Sequence, residues 1–409
     1  MRTIPAVAVC AAAFLFAGAS PAQPDVGAAI SALRAEIAAL TARLERLEQA
    51  TASARAAPRA ASVETRPATA DARPTAATAP SLRFSGDVRY RHESIDEDGL
   101  VQRQRQRLRG RFGVEADVTP DVRVGLVLAT GGDDPVSANQ TLDDGFSRKP
   151  LGVDRAYFRW TATDALTFTG GKMPNPFFRP GDHHLIYDDD LNPEGLAVRY
   201  AKGDWFASYA GLWVEERGDA DDSIMLGGQF GYRRTFTNGM RVTAGTSYYD
   251  YLETRGQTPF WDGAPAGNRV DAVGNYASDF NIAELFGELE LEAGGRPLTL
   301  FADYVVNTEA DAAERGFALG ASFGKVAGPR TWRIGYVYQD LEADAVVGTF
   351  TDSDFAGGGT DGKGHVIELD YGLRERLVLG LRYFSNERGA AAGAERDYDR
   401  LQADVTFSY

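Results

Sequence analysis

Arg103-Gln104-Arg105-Gln106-Arg107-Leu108-Arg109-Gly110-Arg111 places five arginines on consecutive odd positions. The even positions that follow are apolar or small: Leu108, Gly110, Phe112, Val114 and Ala116. A helix would wrap the arginines around its axis. In a strand, residues i, i+2 and i+4 share one face. Five guanidiniums then stack on one side, with an apolar row behind them. A soluble protein turns such an apolar row into its core. A transmembrane barrel turns it to lipid and lines a wet lumen with the polar row.

Outward from this stretch the period stays at two. Leu82, Phe84, Val88 and Tyr90 alternate with Arg83, Ser85, Asp87, Arg89 and Arg91. The habit recurs in Val122/Val124/Leu126/Leu128, Trp332/Ile334/Tyr336/Tyr338 and Leu377/Leu379/Leu381/Tyr383. Many rows carry an aromatic near one end, as an interfacial girdle does. Short turns such as Thr119–Asp121 and Thr237–Gly239 alternate with long polar loops near 92–102, 131–151, 174–193, 253–280, 342–362 and 386–397. Loops of one length class therefore gather at one end, which a β-sandwich has no reason to do. The last strand alternates to its final residue, Val405-Thr406-Phe407-Ser408-Tyr409. The pattern predicts an all-β chain over 81–409: a transmembrane antiparallel up-and-down β-barrel of about 16 strands.

The 409 residues carry a net charge of −15 and a single cysteine, Cys10. That balance argues against nucleic acid as a partner despite the arginine run. Residues 1–22 have the form of a secretory signal: Arg2, an apolar stretch Ile4–Phe16, then small residues. In residues 23–50, Ile30, Leu33, Ile37, Leu40, Leu44 and Leu47 alternate spacings of three and four, the seam of a short coiled-coil helix. Residues 51–80 are an Ala/Pro-rich linker. A short N-terminal coiled-coil helix is thus expected ahead of the barrel, in position to self-associate or to reach the cell wall.

Signal, heptad helix, barrel pattern and terminal aromatic together resemble bacterial outer-membrane porins. Two segments are similar to the putative-porin family in particular. One is Asp134-Pro135-Val136-Ser137-Ala138-Asn139-Gln140-Thr141-Leu142, leading to Asp154-Arg155-Ala156-Tyr157. The other is Gly171-Lys172-Met173-Pro174-Asn175-Pro176-Phe177, leading to Asp190-Leu191-Asn192-Pro193-Glu194-Gly195. The resemblance implies a channel in the outer membrane of a Gram-negative bacterium, in contact with lipid and lipopolysaccharide, and a homotrimer. It also implies that the third long loop folds into the lumen.

Two groups of residues are the candidate site. Arg89, Arg91, Arg103, Arg105, Arg107, Arg109 and Arg111 form a basic pore wall. Only Arg109 and Arg111 reach membrane depth, because the apolar row behind them begins at Leu108. Asp87 is expected near Arg107 and Arg109, and Asp117 opposite Arg123. Loop 174–193, with its flanks, offers Lys172, Arg179, Asp182, Asp188, Asp189, Asp190 and Glu194 as a constriction facing that wall. The bland alternatives are cross-strand charge pairing in a wet barrel and an ordinary acidic surface loop. Asp352, Ser353, Asp354 and Asp361 lack a calcium-loop pattern and are taken as a solvated loop. Four histidines, two of them adjacent, make neither a metal site nor a catalytic triad. No cofactor and no enzymatic reaction are expected. The leading function is passive diffusion of small hydrophilic solutes. Its alternatives are an anion-selective channel for phosphate or carboxylates, and a structural tether from outer membrane to cell wall.

Overall fold

The computed structural model describes residues 81–218 and 220–409. The signal peptide, heptad seam and linker lie outside the described residues. Sixteen antiparallel strands form one closed sheet: β1 (Ser81–Glu97), β2 (Arg103–Asp117), β3 (Val122–Thr130), β4 (Leu151–Thr163), β5 (Leu166–Lys172), β6 (Glu194–Lys202), β7 (Trp205–Glu215) and β8 (Ser223–Thr235), then β9 (Arg241–Tyr251), β10 (Phe280–Ala293), β11 (Arg296–Asn307), β12 (Arg315–Gly324), β13 (Trp332–Leu341), β14 (Gly362–Arg374), β15 (Leu377–Arg388) and β16 (Arg396–Ser408). Each strand pairs with its sequence neighbour, and β16 closes on β1 from Asp87↔Ser408 to Glu97↔Tyr398. Closure leaves no open edge, so every strand finds backbone partners without water. A two-residue piece, Gln140–Thr141, caps the upper part of β2.

The last residue takes part in the seam. The Tyr409 amide donates to the Gly86 carbonyl at 3.0 Å, and its hydroxyl to the Arg111 carbonyl at 3.2 Å. A Cβ on Gly86 would sit 2.3 Å from that hydroxyl, so the tyrosine lies where glycine leaves room.

Alternation produces the inverted faces that the arginine stretch suggested. Leu82 and Phe84 are 54% and 61% exposed, whereas Arg91 and Glu93 on the other face are buried. Leu381 lies on the outer face between Leu369 and Ala403. L381R should therefore cost about 2–4 kcal/mol if its depth is near mid-bilayer. The check is reversible denaturation of the barrel refolded into lipid. A change under about 0.5 kcal/mol, the usual size at a watery surface, would refute a lipid-facing row.

The long connections share one end: loops 98–102, 131–150, 173–193, 216–222, 252–279, 308–314, 342–361 and 389–395. The first is shorter than the 92–102 expected, because β1 stays paired to Glu97. Its polar outer-end residues bond across strands, as Tyr90 to Gln106 at 2.6 Å.

One feature departs from a simple wet barrel. The hydrophobic core lies inside it. From the third loop (173–193), Met173, Phe177, Leu185, Ile186 and Tyr187 pack on inward Leu212, Met225, Tyr249, Tyr251 and Ile282. Phe260 of the fifth loop and Val346 and Val347 of the seventh loop complete the cluster. Phe177 meets Tyr249 edge-on at 4.9 Å, and Tyr187 meets it at 5.4 Å. Each fully buried side chain of this kind contributes about 1.5–3 kcal/mol. Strict alternation fails where this plug docks, as in Tyr248-Tyr249-Asp250-Tyr251, which is aromatic on both faces.

Candidate functional site

The plug fills one side of the lumen and leaves the β1, β2 and β16 side polar. There the strand register sets an electrostatic problem. Arg89 stands opposite Arg109, and Arg91 opposite Arg107. Like charges directly across a ladder repel, so this wall needs carboxylates.

The strands supply three. Asp87 binds Arg109 at 2.9 Å. Glu93 lies 2.7 Å from Arg105, 3.5 Å from Arg107 and 2.7 Å from Arg400. Asp404 takes Arg91 through two parallel bonds of 2.7 and 2.8 Å, the fork geometry that suits a guanidinium. Two more arrive from loops. Asp190 of the third loop pairs with Arg111 and lies 3.6 Å from Arg109. Asp354 of the seventh loop bridges Arg91 at 2.9 Å and Arg400 at 2.7 Å. The second loop adds neutral contacts: Arg89 donates to the Asn139 side chain at 2.7 Å and Arg107 to the Ser137 hydroxyl at 3.3 Å.

The expected residues therefore separate. Arg89, Arg91, Arg105, Arg107, Arg109 and Arg111 come together on one wall, while Arg103 stays exposed at the mouth. Asp87 reaches Arg109 rather than Arg107. Asp117 meets Arg123 at 2.8 Å, as the pairing required. The three consecutive aspartates divide the work. Asp188 is buried and accepts the amides of Asp190 at 2.7 Å and Ser353 at 2.8 Å, tying the third loop to the seventh. Asp189 braces Arg179 at 3.1 Å, and Asp190 sits on the wall. Lys172 and Glu194 close on each other at 3.0 Å beside the mouth. Asp182 lines a cavity of about 850 Å³ on the far side of the third loop, together with His183, His184, Arg233, Glu288 and Arg333.

Asp352 and Asp354 correct the solvated-loop expectation: the seventh loop folds inward and packs on the wall. Glu93 and Asp404 were also missed as wall partners. The register carries them both, Glu93↔Arg105 and Arg91↔Asp404, once β1 is extended to residue 97 and the barrel is closed. Nothing in the glycine-rich run around Asp354 signals its role.

Charge states follow from these contacts. Burial pushes the Asp354 carboxyl up, but Arg400 and Arg91 outweigh it and hold it well below the usual range. Burial likewise opposes ionisation of Asp190, and Arg111 and Arg109 overcome it. Asp189, despite burial, is drawn down to about 2 by His184 and Arg179. Asp188 goes the other way, well above the usual range, because burial acts together with Asp352 and Asp190. Burial and the neighbouring His184 lower His183 to about 4, so it is neutral at pH 7. It is 2.7 Å from the Gln339 side chain.

The tip of the third loop crosses to the opposite wall. The Gly181 amide donates to Glu288 at 2.6 Å. Its φ is +65°, and a Cβ there would lie 2.1 Å from the Phe301 ring. G181V should therefore lift the tip at a cost of about 1–3 kcal/mol and raise single-channel conductance. An unchanged conductance would show that the tip does not narrow the pathway.

The family described as putative porin matches residues 96–272 and 264–409. The chain belongs to that family. Like the family, this porin is placed in the outer membrane of Gram-negative bacteria, where such barrels serve passive diffusion. Among solved structures, OprB of Pseudomonas putida superposes with a TM-score of 0.56 at 13% identity, covering 80% of the porin and 94% of OprB. Salmonella typhi OmpF gives 0.51 at 12% identity, covering 81% and 98%. At such identities the likeness concerns the fold. No curated protein matches the chain.

Proposed function

We propose that small hydrophilic solutes pass through the lumen beside the two inward loops, along the ion pairs that seat those loops on the basic wall, and so across a fixed transverse field. The observation that carries this reading is the seating of Asp190 from the third loop against Arg109 and Arg111. Desolvation makes such charges count more than they do in bulk water. The wall retains some anion preference. Arg89, Arg91, Arg105, Arg107, Arg109, Arg111 and Arg400 share five carboxylates in ion-pair contact, Asp87, Glu93, Asp190, Asp354 and Asp404. The same proposal includes a homotrimer embedded among lipopolysaccharide.

Reconstitution in planar bilayers tests it. Symmetric KCl should give discrete ohmic steps, and a salt gradient a reversal potential displaced toward the chloride value. Absence of any current would remove the diffusion reading. A cation-selective reversal would remove the anion preference.

A further inference from the structure

A second set of inward arginines lies near the short-turn end: Arg159 on β4, Arg199 on β6 and Arg233 on β8. Each falls within the last five residues of its strand. Outer-face neighbours fix their direction. Phe158, Trp160, Tyr200 and Phe230 are exposed on the lipid side, so the odd-numbered positions beside them face the lumen.

The contrast with the upper wall is in their partners. Nearby Arg123, Arg234 and Arg241 each have a carboxylate within 4.0 Å. Arg159, Arg199 and Arg233 make no ion pair among the described residues. Arg159 and Arg233 are close enough to Arg199 for their charges to repel it, and no carboxylate offsets that repulsion. The register places neutral polar groups beside them, Thr169 opposite Arg159, Thr167 and Ser208 opposite Arg199, and Thr243 opposite Arg233, while on its other side Arg159 faces Arg123, itself held by Asp117 and Glu115.

One of the three is held rigidly. The Arg233 guanidinium lies 4.7 Å from the Phe178 ring and 5.2 Å from the Phe206 ring, and its Nε donates to Thr243 at 3.2 Å. Gly231 makes room for Phe206, since a Cβ there would lie 2.1 Å from that ring. Phe178 is fixed by Gln229, which accepts its amide at 2.7 Å and donates to its carbonyl at 2.9 Å. Stacking on aromatic faces pre-organises a guanidinium while leaving its N–H edge free for an oxyanion.

We propose that Arg159, Arg199 and Arg233 form a binding site for a small polyvalent oxyanion, below the constriction and separate from the upper wall. It rests on the pore reading above. An anion that has passed Asp190 finds here three guanidiniums with no carboxylate of the described residues within 4.0 Å to displace, Asp182 and Glu288 being among the acidic groups that line the cavity of Arg233.

The test uses the reconstituted porin in KCl at pH 7.5, with sodium phosphate or sodium citrate added to each side in turn. Wild type should show a saturable fall in chloride current, at lower concentration from one side. R199Q is the informative variant, because Arg199 is exposed to the lumen and makes no side-chain bond. It should raise the half-blocking concentration at least tenfold, while R148Q, an equal loss of charge on the exposed second loop, keeps the block. Block by phosphate alone assigns a phosphoryl ligand, by citrate alone a carboxylate ligand, and by both the shared oxyanion chemistry. No block in wild type, or an equal block in R199Q, overturns the site. If KCl carries no current, the pore reading fails first. Calorimetric titration of the detergent-solubilised porin with the same anions then decides the site: no binding, or equal binding by R199Q, overturns it.

Discussion

Asp354→Asn should release the seventh loop from the pore wall. Asp354 bridges Arg91 and Arg400, whose side chains are each 2% exposed. Removing its charge leaves Arg91 with Asp404 and Arg400 with Glu93, so the wall persists but the loop loses its ionic attachment. Breaking a buried pair costs 3–5 kcal/mol. Asp354 is 18% exposed, so water softens the loss and about 3 kcal/mol is expected. Single-channel records should show higher mean current and added open-state noise, with a lower denaturation midpoint. Acid should act differently. A carboxyl held well below its ordinary range contributes stability above its unfolded value and loses it only as pH falls toward the folded one. The attachment should therefore survive at pH 5, where D354N has already lost it. Quiet, unchanged D354N channels would show that the loop is held by other contacts.

The largest change in selectivity should come from R109Q/R111Q. The two arginines are the ionic partners of Asp190, and Arg109 is also the partner of Asp87. Their neutralisation removes two positive charges and leaves two carboxylates unmatched at the narrow zone. Asp190 stays in place, since it also accepts the Ala138 amide at 2.9 Å. In a tenfold KCl gradient an ideally selective pore reverses at about 59 mV. The variant's reversal potential should cross from the chloride side of zero to the potassium side. Unchanged selectivity would mean that the field at Asp190 does not govern permeation.

The difference between legible and illegible residues is physical. Period-two alternation reports which face is wet, so Arg105 to Arg111 could be placed on the lumen from sequence. Strand pairing propagates locally, so Asp117 and Arg123 could be matched across one turn. Glu93 with Arg105 needed only a longer β1, and Asp404 with Arg91 needed closure of the sheet. Asp354 and Asp188 are different. Their positions depend on how two loops fold back into the barrel, and that is set by packing on Tyr187, Tyr249 and Tyr251. A tyrosine row with aromatics on both faces was the available signal, and it was masked by the alternation around it. Arg159, Arg199 and Arg233 lie on separate strands with no shared spacing, so only the assembled wall brings them together.

The apolar plug also bears on how the chain is made. Its parts come from strands and loops spread between Tyr157 and Val347, with a second patch around Phe355, Val366 and Phe384. Contacts of such long sequence separation form late, after loop closure has been achieved by other interactions. The sealed ring of strands can exist before the plug is seated, but the plug cannot be complete without strands on both sides of it. During export the residues of the plug travel exposed and sticky, a burden for periplasmic chaperones.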